Sequence, residues 1–196
     1  EASEAESGRS AREFVGDGNR QYLTGLNLGG RHIAILLDMS SSMLSDRLVN
    51  IIRLRNMGED VQRKADKWTR AVNTVDWLTA QLPVASNYQI ITFNTEARPA
   101  LAGTEGQWLE VADQEQLETG IEALNATIPA EGTNLEKLFS SIGNLSPPPD
   151  NIYLITDGLP TLSSRSNDSG IISGRDREKL FEQAVRELPK GIPVNI

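Results

Sequence analysis

The sequence predicts an α/β fold: a doubly wound, mostly parallel sheet with helices on both faces and one short antiparallel edge strand. Three observations predict it. Ile33-Ala34-Ile35-Leu36-Leu37 is apolar without interruption, which suits a strand buried on both faces, and Asp38 ends it. A second run of the same kind, Asn151-Ile152-Tyr153-Leu154-Ile155-Thr156, stops at Asp157. Between and after these runs lie segments with apolar residues at helical spacing.

Ligands of open α/β sheets bind beyond the carboxyl ends of the strands, so the residues after each run are where function is expected. Asp38, Ser40 and Ser42 alternate there, and an extended turn can aim all three at one spot. Hard oxygen donors of this kind suit a hard divalent cation, Mg²⁺ first, with Mn²⁺ or Ca²⁺ as alternatives. Serines in this place also suit the cap of a following helix, and the short pattern alone leaves the two readings open. Two further segments decide for a site: the loop Glu131-Gly132-Thr133-Asn134, which brings another hydroxyl, and Asp157-Gly158 at the end of the second buried run.

With these residues in place, the chain resembles the von Willebrand factor type A (VWA) family, whose metal-ion-dependent adhesion site is built from a DxSxS turn, a Thr loop and a later Asp-Gly. The matching residues are Asp38, Ser40, Ser42, Thr133 and Asp157. The resemblance spans roughly residue 30 to the end. It implies a bacterial-type domain in which Ser40, Ser42 and Thr133 contact the metal directly, while Asp38 and Asp157 act in part through water. Ser41 departs from the family, many of whose members have Gly; the alternation turns it away from the metal. The resemblance also implies a binding function in which the cation takes an Asp or Glu from a partner protein. Family members continue through further elements, so the fold is expected either to be incomplete at its carboxyl end or to close differently.

The remaining elements follow in order. Residues 1–30 open with a Glu/Ala/Ser-rich lead and continue through five glycines that interrupt the apolar patches Tyr22-Leu23 and Leu26-Leu28. They are read as an N-terminal extension or linker, or a hairpin clasping the edge of a domain at 31–196. After Ser42, Leu44, Leu48, Ile51, Ile52 and Met57 lie at helical spacing, Gly58 marks a break, and Ala65, Trp68, Val72, Val75, Leu78 and Leu82 resume the stripe. The second stripe is the first helix of the fold, and 46–63 is a helical insertion beside the site. Its basic residues read as a solvated face or as a lid that meets a partner.

Residues 88–93 and 97–101 form an antiparallel hairpin with Pro99 at an edge, because proline cannot donate to a ladder. Asp113 and Gln116 resemble a capping box before the face Leu117, Ile121, Leu124 and Ile128. Thr133-Asn134 starts a helix carrying Leu135, Leu138, Phe139, Ile142 and Leu145 inward until the prolines at 147–149. Residues 160–174, rich in Ser, form a rim loop. Residues 175–188 give the last helix, with Leu180, Phe181, Ala184, Val185 and Leu188 as its stripe, and 192–196 opens a further strand.

Composition removes several functions. A formal net charge of −8 over 196 residues makes nucleic acid a poor partner and cations good ones. With no cysteine there is no thiol chemistry and no disulfide. No apolar stretch suits direct membrane insertion. The one histidine, His32, lies at the start of the first strand, away from Asp38, so a Ser-His-Asp relay with Ser40 or Ser42 is disfavoured. A phosphate loop of the GxxxxGK[ST] kind is absent. The favoured reading is therefore a non-enzymatic, metal-dependent protein-binding module. The alternatives are a scaffold whose metal is purely structural and a metal-dependent hydrolase. Similar bacterial domains occur behind a membrane anchor and beside AAA+ ATPases. The lead and the start without methionine favour a piece of a longer cell-envelope protein, with the cytoplasm as the alternative.

Overall fold

The computed structural model describes residues 29–161 and 173–196. A six-stranded sheet organises them in the order β3-β2-β1-β5-β6, with β4 added on β2. Central β1 (His32–Asp38) pairs in parallel with β2 (Asn87–Phe93) on one side and β5 (Asn151–Ile155) on the other. Beyond β5 lies the short parallel β6 (Val194–Asn195). The antiparallel edge strand β3 (Ala97–Pro99) is the predicted one, and Pro99 sits where no further strand asks for its missing N–H. β4 (Leu109–Glu110) was not predicted; two residues make no recognisable run.

Strand geometry alternates the side chains of β1 between two cores. Ile33, Ile35 and Leu37 pack on one face with Trp68, Val72, Val75 and Leu78 of α3 (Asp66–Ala80) and Leu117, Ile121 and Leu124 of α4 (Gln114–Ala126). Ala34 and Leu36 pack on the other with Leu138, Phe139 and Ile142 of α5 (Leu135–Ile142) and Ala184 of α6 (Gly174–Glu187). All five apolar residues of β1 are 0% exposed. The helices on both faces are thus the physical cause of the unbroken apolar run.

Several boundaries and faces differ from the sequence reading. The insertion is two short helices, α1 (Leu48–Arg55) and α2 (Glu59–Arg63), preceded by a 3-10 turn over Ser41–Leu44 and separated at Gly58 as predicted. Its apolar stripe is not a core face: Leu48 is 70% and Ile52 56% exposed, because among the described residues no second layer covers α1, and only Leu44 of the predicted stripe is buried. Ile128 lies past the end of α4, and Val185 on α6 is 43% exposed. Helix α5 stops at Ile142, before the prolines. Asp113 accepts the Gln116 N–H at 3.1 Å, giving α4 its predicted cap.

The start of β1 is tightly clamped. Asp150 accepts the N–H groups of Arg31 at 2.7 Å and His32 at 3.2 Å, and the carboxylate approaches Gly30 so closely that a Cβ there would meet it at 2.5 Å. The predicted clasp through Tyr22-Leu23 and Leu26-Leu28, and all of the predicted rim loop except residues 160, 161, 173 and 174, lie outside the described residues. Among the described residues no helix is long and apolar enough to cross a membrane.

Candidate metal centre

The sheet order places a switch point between β1 and β5, since the chain leaves β1 toward β2 on one side and returns at β5 on the other. Crevices at such points are the usual ligand sites of open α/β sheets. The residues after both strands meet there. Ser40 N donates to Asp38 Oδ1 at 2.8 Å, and Thr156 Oγ1 donates to Asp38 Oδ2 at 2.8 Å. Both oxygens of Asp38 are therefore engaged, and the residue is 0% exposed. The Ser40 and Ser42 hydroxyls lie 2.9 Å apart, and Ser42 Oγ donates to Asp157 Oδ1 at 2.9 Å. Four of the five predicted residues thus form one connected hydrogen-bonded series.

Thr133 reaches the same edge by a different route. Its loop is laced to the strand ends: Ala130 N donates to Met39 O at 2.8 Å, Ser41 N to Glu131 O at 2.9 Å and Asn134 N to Asn94 O at 2.8 Å. Thr133 N donates to Thr161 Oγ1 at 2.9 Å, and Thr161 N returns a bond of 2.9 Å to Thr133 O, tying the loop to the segment after β5. Thr133 is only 4% exposed. Among the described residues no side-chain bond joins its hydroxyl to the other four. The loop holds one costly conformation. Glu131 has φ +68°, a region that costs a residue with a Cβ about 1–2 kcal/mol, and its carboxylate accepts the Thr95 hydroxyl. Ser41, the departure from the family pattern, has its buried Oγ outside the series and without a partner.

The crevice is lined by two carboxylates, one buried and one paired with a lysine. Burial pushes the Asp38 carboxyl above its ordinary 3.8; the bonds from Ser40 and Thr156 pull it back, and the nearby Asp157 charge adds to the rise. Asp157 Oδ2 holds the ammonium of Lys67 at 2.5 Å, and the same ammonium reaches Asp46 Oδ1 at 3.0 Å. Burial opposes the Lys67 charge, but its bonds to Asp157 and Asp46 prevail and raise its pKa above 10.5. The Lys67 bond in turn lowers the pKa of Asp46.

These donors fit a hard divalent ion. They are hydroxyl and carboxylate oxygens converging on one crevice, and a cation of the chain's own is already drawn to them. Among the described residues no three His, Cys, Asp or Glu cluster to hold a metal, so hydroxyls are the donors that must complete any shell here. Ser40, Ser42, Thr133, Asp38 and Asp157 are the residues available to do so.

Sequence reasoning missed Lys67, Thr156 and Asn94, and placed Thr161 only in the rim loop. Lys67 did carry a signal. It is the second residue of α3, where the positive end of the helix dipole disfavours a cation, and such a lysine implies a carboxylate nearby.

No family model matches the sequence, and no curated protein does. Among solved structures, the chain is similar to a von Willebrand factor type A protein from Catenulispora acidiphila, at 16% identity and a TM-score of 0.56, over 84% of this chain and 32% of that one. It also matches proximal thread matrix protein 1 from the mussel byssus, described with a zinc-occupied MIDAS motif, at 15% identity and a TM-score of 0.44, over 84% of this chain and 37% of that one. The chain therefore spans about a third of the length of the solved structures it matches. The first likeness shows the architecture: this chain has the von Willebrand factor type A fold.

Proposed function

We propose that the chain is a non-enzymatic module that binds a protein partner through a divalent cation, Mg²⁺ first, with Mn²⁺ or Ca²⁺ as alternatives. The observation that carries this reading is the series Ser40–Ser42–Asp157 beside a locked Asp38 at the switch point of the sheet. Asp38, Ser40, Ser42, Thr133 and Asp157 would hold the ion. When bound, the ion supplies a concentrated positive charge with room for one more oxygen ligand, which an Asp or Glu of the partner completes.

The chain's own residues do the preparing. Asp38 fixes the 40–42 turn through the Ser40 N–H, the Asn94 and Met39 bonds hold the Thr133 loop against the same edge, and the hydroxyls leave the ion less neutralised than carboxylates would. The non-catalytic part of the reading is supported by the position of His32. It lies at the opposite end of β1 from Asp38, edge-on to the Trp108 ring at a centroid distance of 5.1 Å, and it is the chain's one histidine.

The test is thermal unfolding with and without Mg²⁺ or Mn²⁺. The ion is expected to raise the midpoint of the wild type and to leave Asp38→Ala unmoved, with Thr133→Ala intermediate. Equal shifts in wild type and Asp38→Ala would overturn the site. Metal-dependent turnover of phosphate or ester substrates would overturn the non-enzymatic reading.

A further inference from the structure

Lys67 is the one cation that touches a carboxylate of the crevice among the described residues. Its side chain is only 16% exposed, although it carries a charge at the start of a helix that disfavours it. Asp157 is shared because of it: one carboxylate oxygen takes the Ser42 hydroxyl at 2.9 Å and the other takes the ammonium at 2.5 Å. Asp46, 73% exposed, steadies the ammonium from the far side at 3.0 Å and is itself 3.9 Å from Arg70.

We propose that Lys67 is a resident counter-ion of the centre, which neutralises part of Asp157 before any metal arrives and so holds down the affinity of the site for divalent ions. The inference rests on the reading of this edge as a metal centre. Two cations that share one carboxylate repel each other, and the repulsion is poorly screened where the groups are largely enclosed. A bound ion is then left with more uncompensated positive charge than its five donors alone would leave. That excess favours an anionic ligand from outside over a neutral one. Lys67 thus sets a balance: weak loading by the metal alone, and strong demand for a partner's carboxylate once loaded.

The test is calorimetric titration with MnCl₂ alone, repeated with MgCl₂, on the full chain. Lys67→Met keeps the length of the side chain and removes its charge, and it is expected to bind the ion about tenfold or more tightly than wild type. Lys67→Arg keeps the charge and is expected to stay within about twofold of wild type, which separates charge from packing. Asp46→Asn, which gives Lys67 wholly to Asp157, is expected to weaken binding about twofold. Tighter binding by Lys67→Met than by wild type, or binding by Lys67→Met where the wild type shows none, supports the inference. Binding by wild type with equal or weaker binding by Lys67→Met overturns the inference and leaves the metal centre standing. Absence of binding by wild type and Lys67→Met together overturns both.

Discussion

The ends of β1 and β5 both present an aspartate to the crevice, and the fold treats the two in opposite ways. Asp38 is fully buried, and one of its two oxygens is spent on a backbone N–H. Around it the chain is fastened by backbone bonds, from Met39 N to Phe93 O and from Ala130 N to Met39 O. Asp157 is held by side chains, the Ser42 hydroxyl and the Lys67 ammonium, and its side chain is 20% exposed. The first aspartate shapes the turn that carries Ser40 and Ser42, and the second is held through side chains alone. The same residue at the end of the same kind of strand thus serves once as a backbone brace and once as a side-chain junction. The difference arises in tertiary burial, where local sequence is silent.

The comparison can be broken at its fixed half first. Asn94 joins the end of β2 to the Thr133 loop, donating through Nδ2 to Ala130 O at 3.2 Å and accepting the Glu96 N–H at 3.1 Å, and it is 4% exposed. Asn94→Ala leaves buried polar groups without partners and is expected to cost about 1–3 kcal/mol in denaturant unfolding, together with a smaller metal-induced shift. A cost near zero would mean that the loop is braced elsewhere.

Asp38 offers the next largest effect, and it depends on pH. Its folded-state pKa lies above the ordinary 3.8, so the folded chain keeps this proton at pH values where the unfolded chain has lost it. The stability associated with that proton is fully present below about 3.8 and is lost as pH rises through the folded value. Asp38→Asn is therefore expected to melt a few degrees above the metal-free wild type at pH 8, with the gain shrinking as pH falls toward 4. A constant difference across that range would show that the carboxylate is not strained by burial. The smallest effect belongs to Asp157. Asp157→Asn is expected to cost about 1 kcal/mol of metal-free stability, because Asp46 still pairs the Lys67 ammonium, while reducing the metal-induced shift, and a loss several times larger would make it a second brace.

How much of this was legible in the sequence follows the same physical divide. The unbroken apolar runs of β1 and β5 announced burial on both faces, and the residues that end them pointed to the crevice. The cap at Asp113 was legible because it is local: its side chain accepts the Gln116 N–H at 3.1 Å. The face of α1 was not legible. Periodicity reports that a helix has an apolar side and says nothing of whether another layer covers it, and Leu48 and Ile52 meet solvent. Nor was the engagement of Lys67, since its partners Asp46 and Asp157 come from separate turns, one before α1 and one after β5, and only the fold brings them together. Thr156 was seen as the last residue of a strand, but its bond to Asp38 spans 118 positions.

The clamp of Asp150 on Arg31 and His32 has a mechanical consequence. It fixes the upstream end of β1, and the crevice lies at the downstream end of the same strand. A pull between residue 30 and anything gripped at the crevice therefore runs along β1 and loads its ladders with β2 and β5 in shear, so that their bonds must fail as a group and cannot peel apart in turn. The strand that positions the donors is also the one that would carry tension through the molecule.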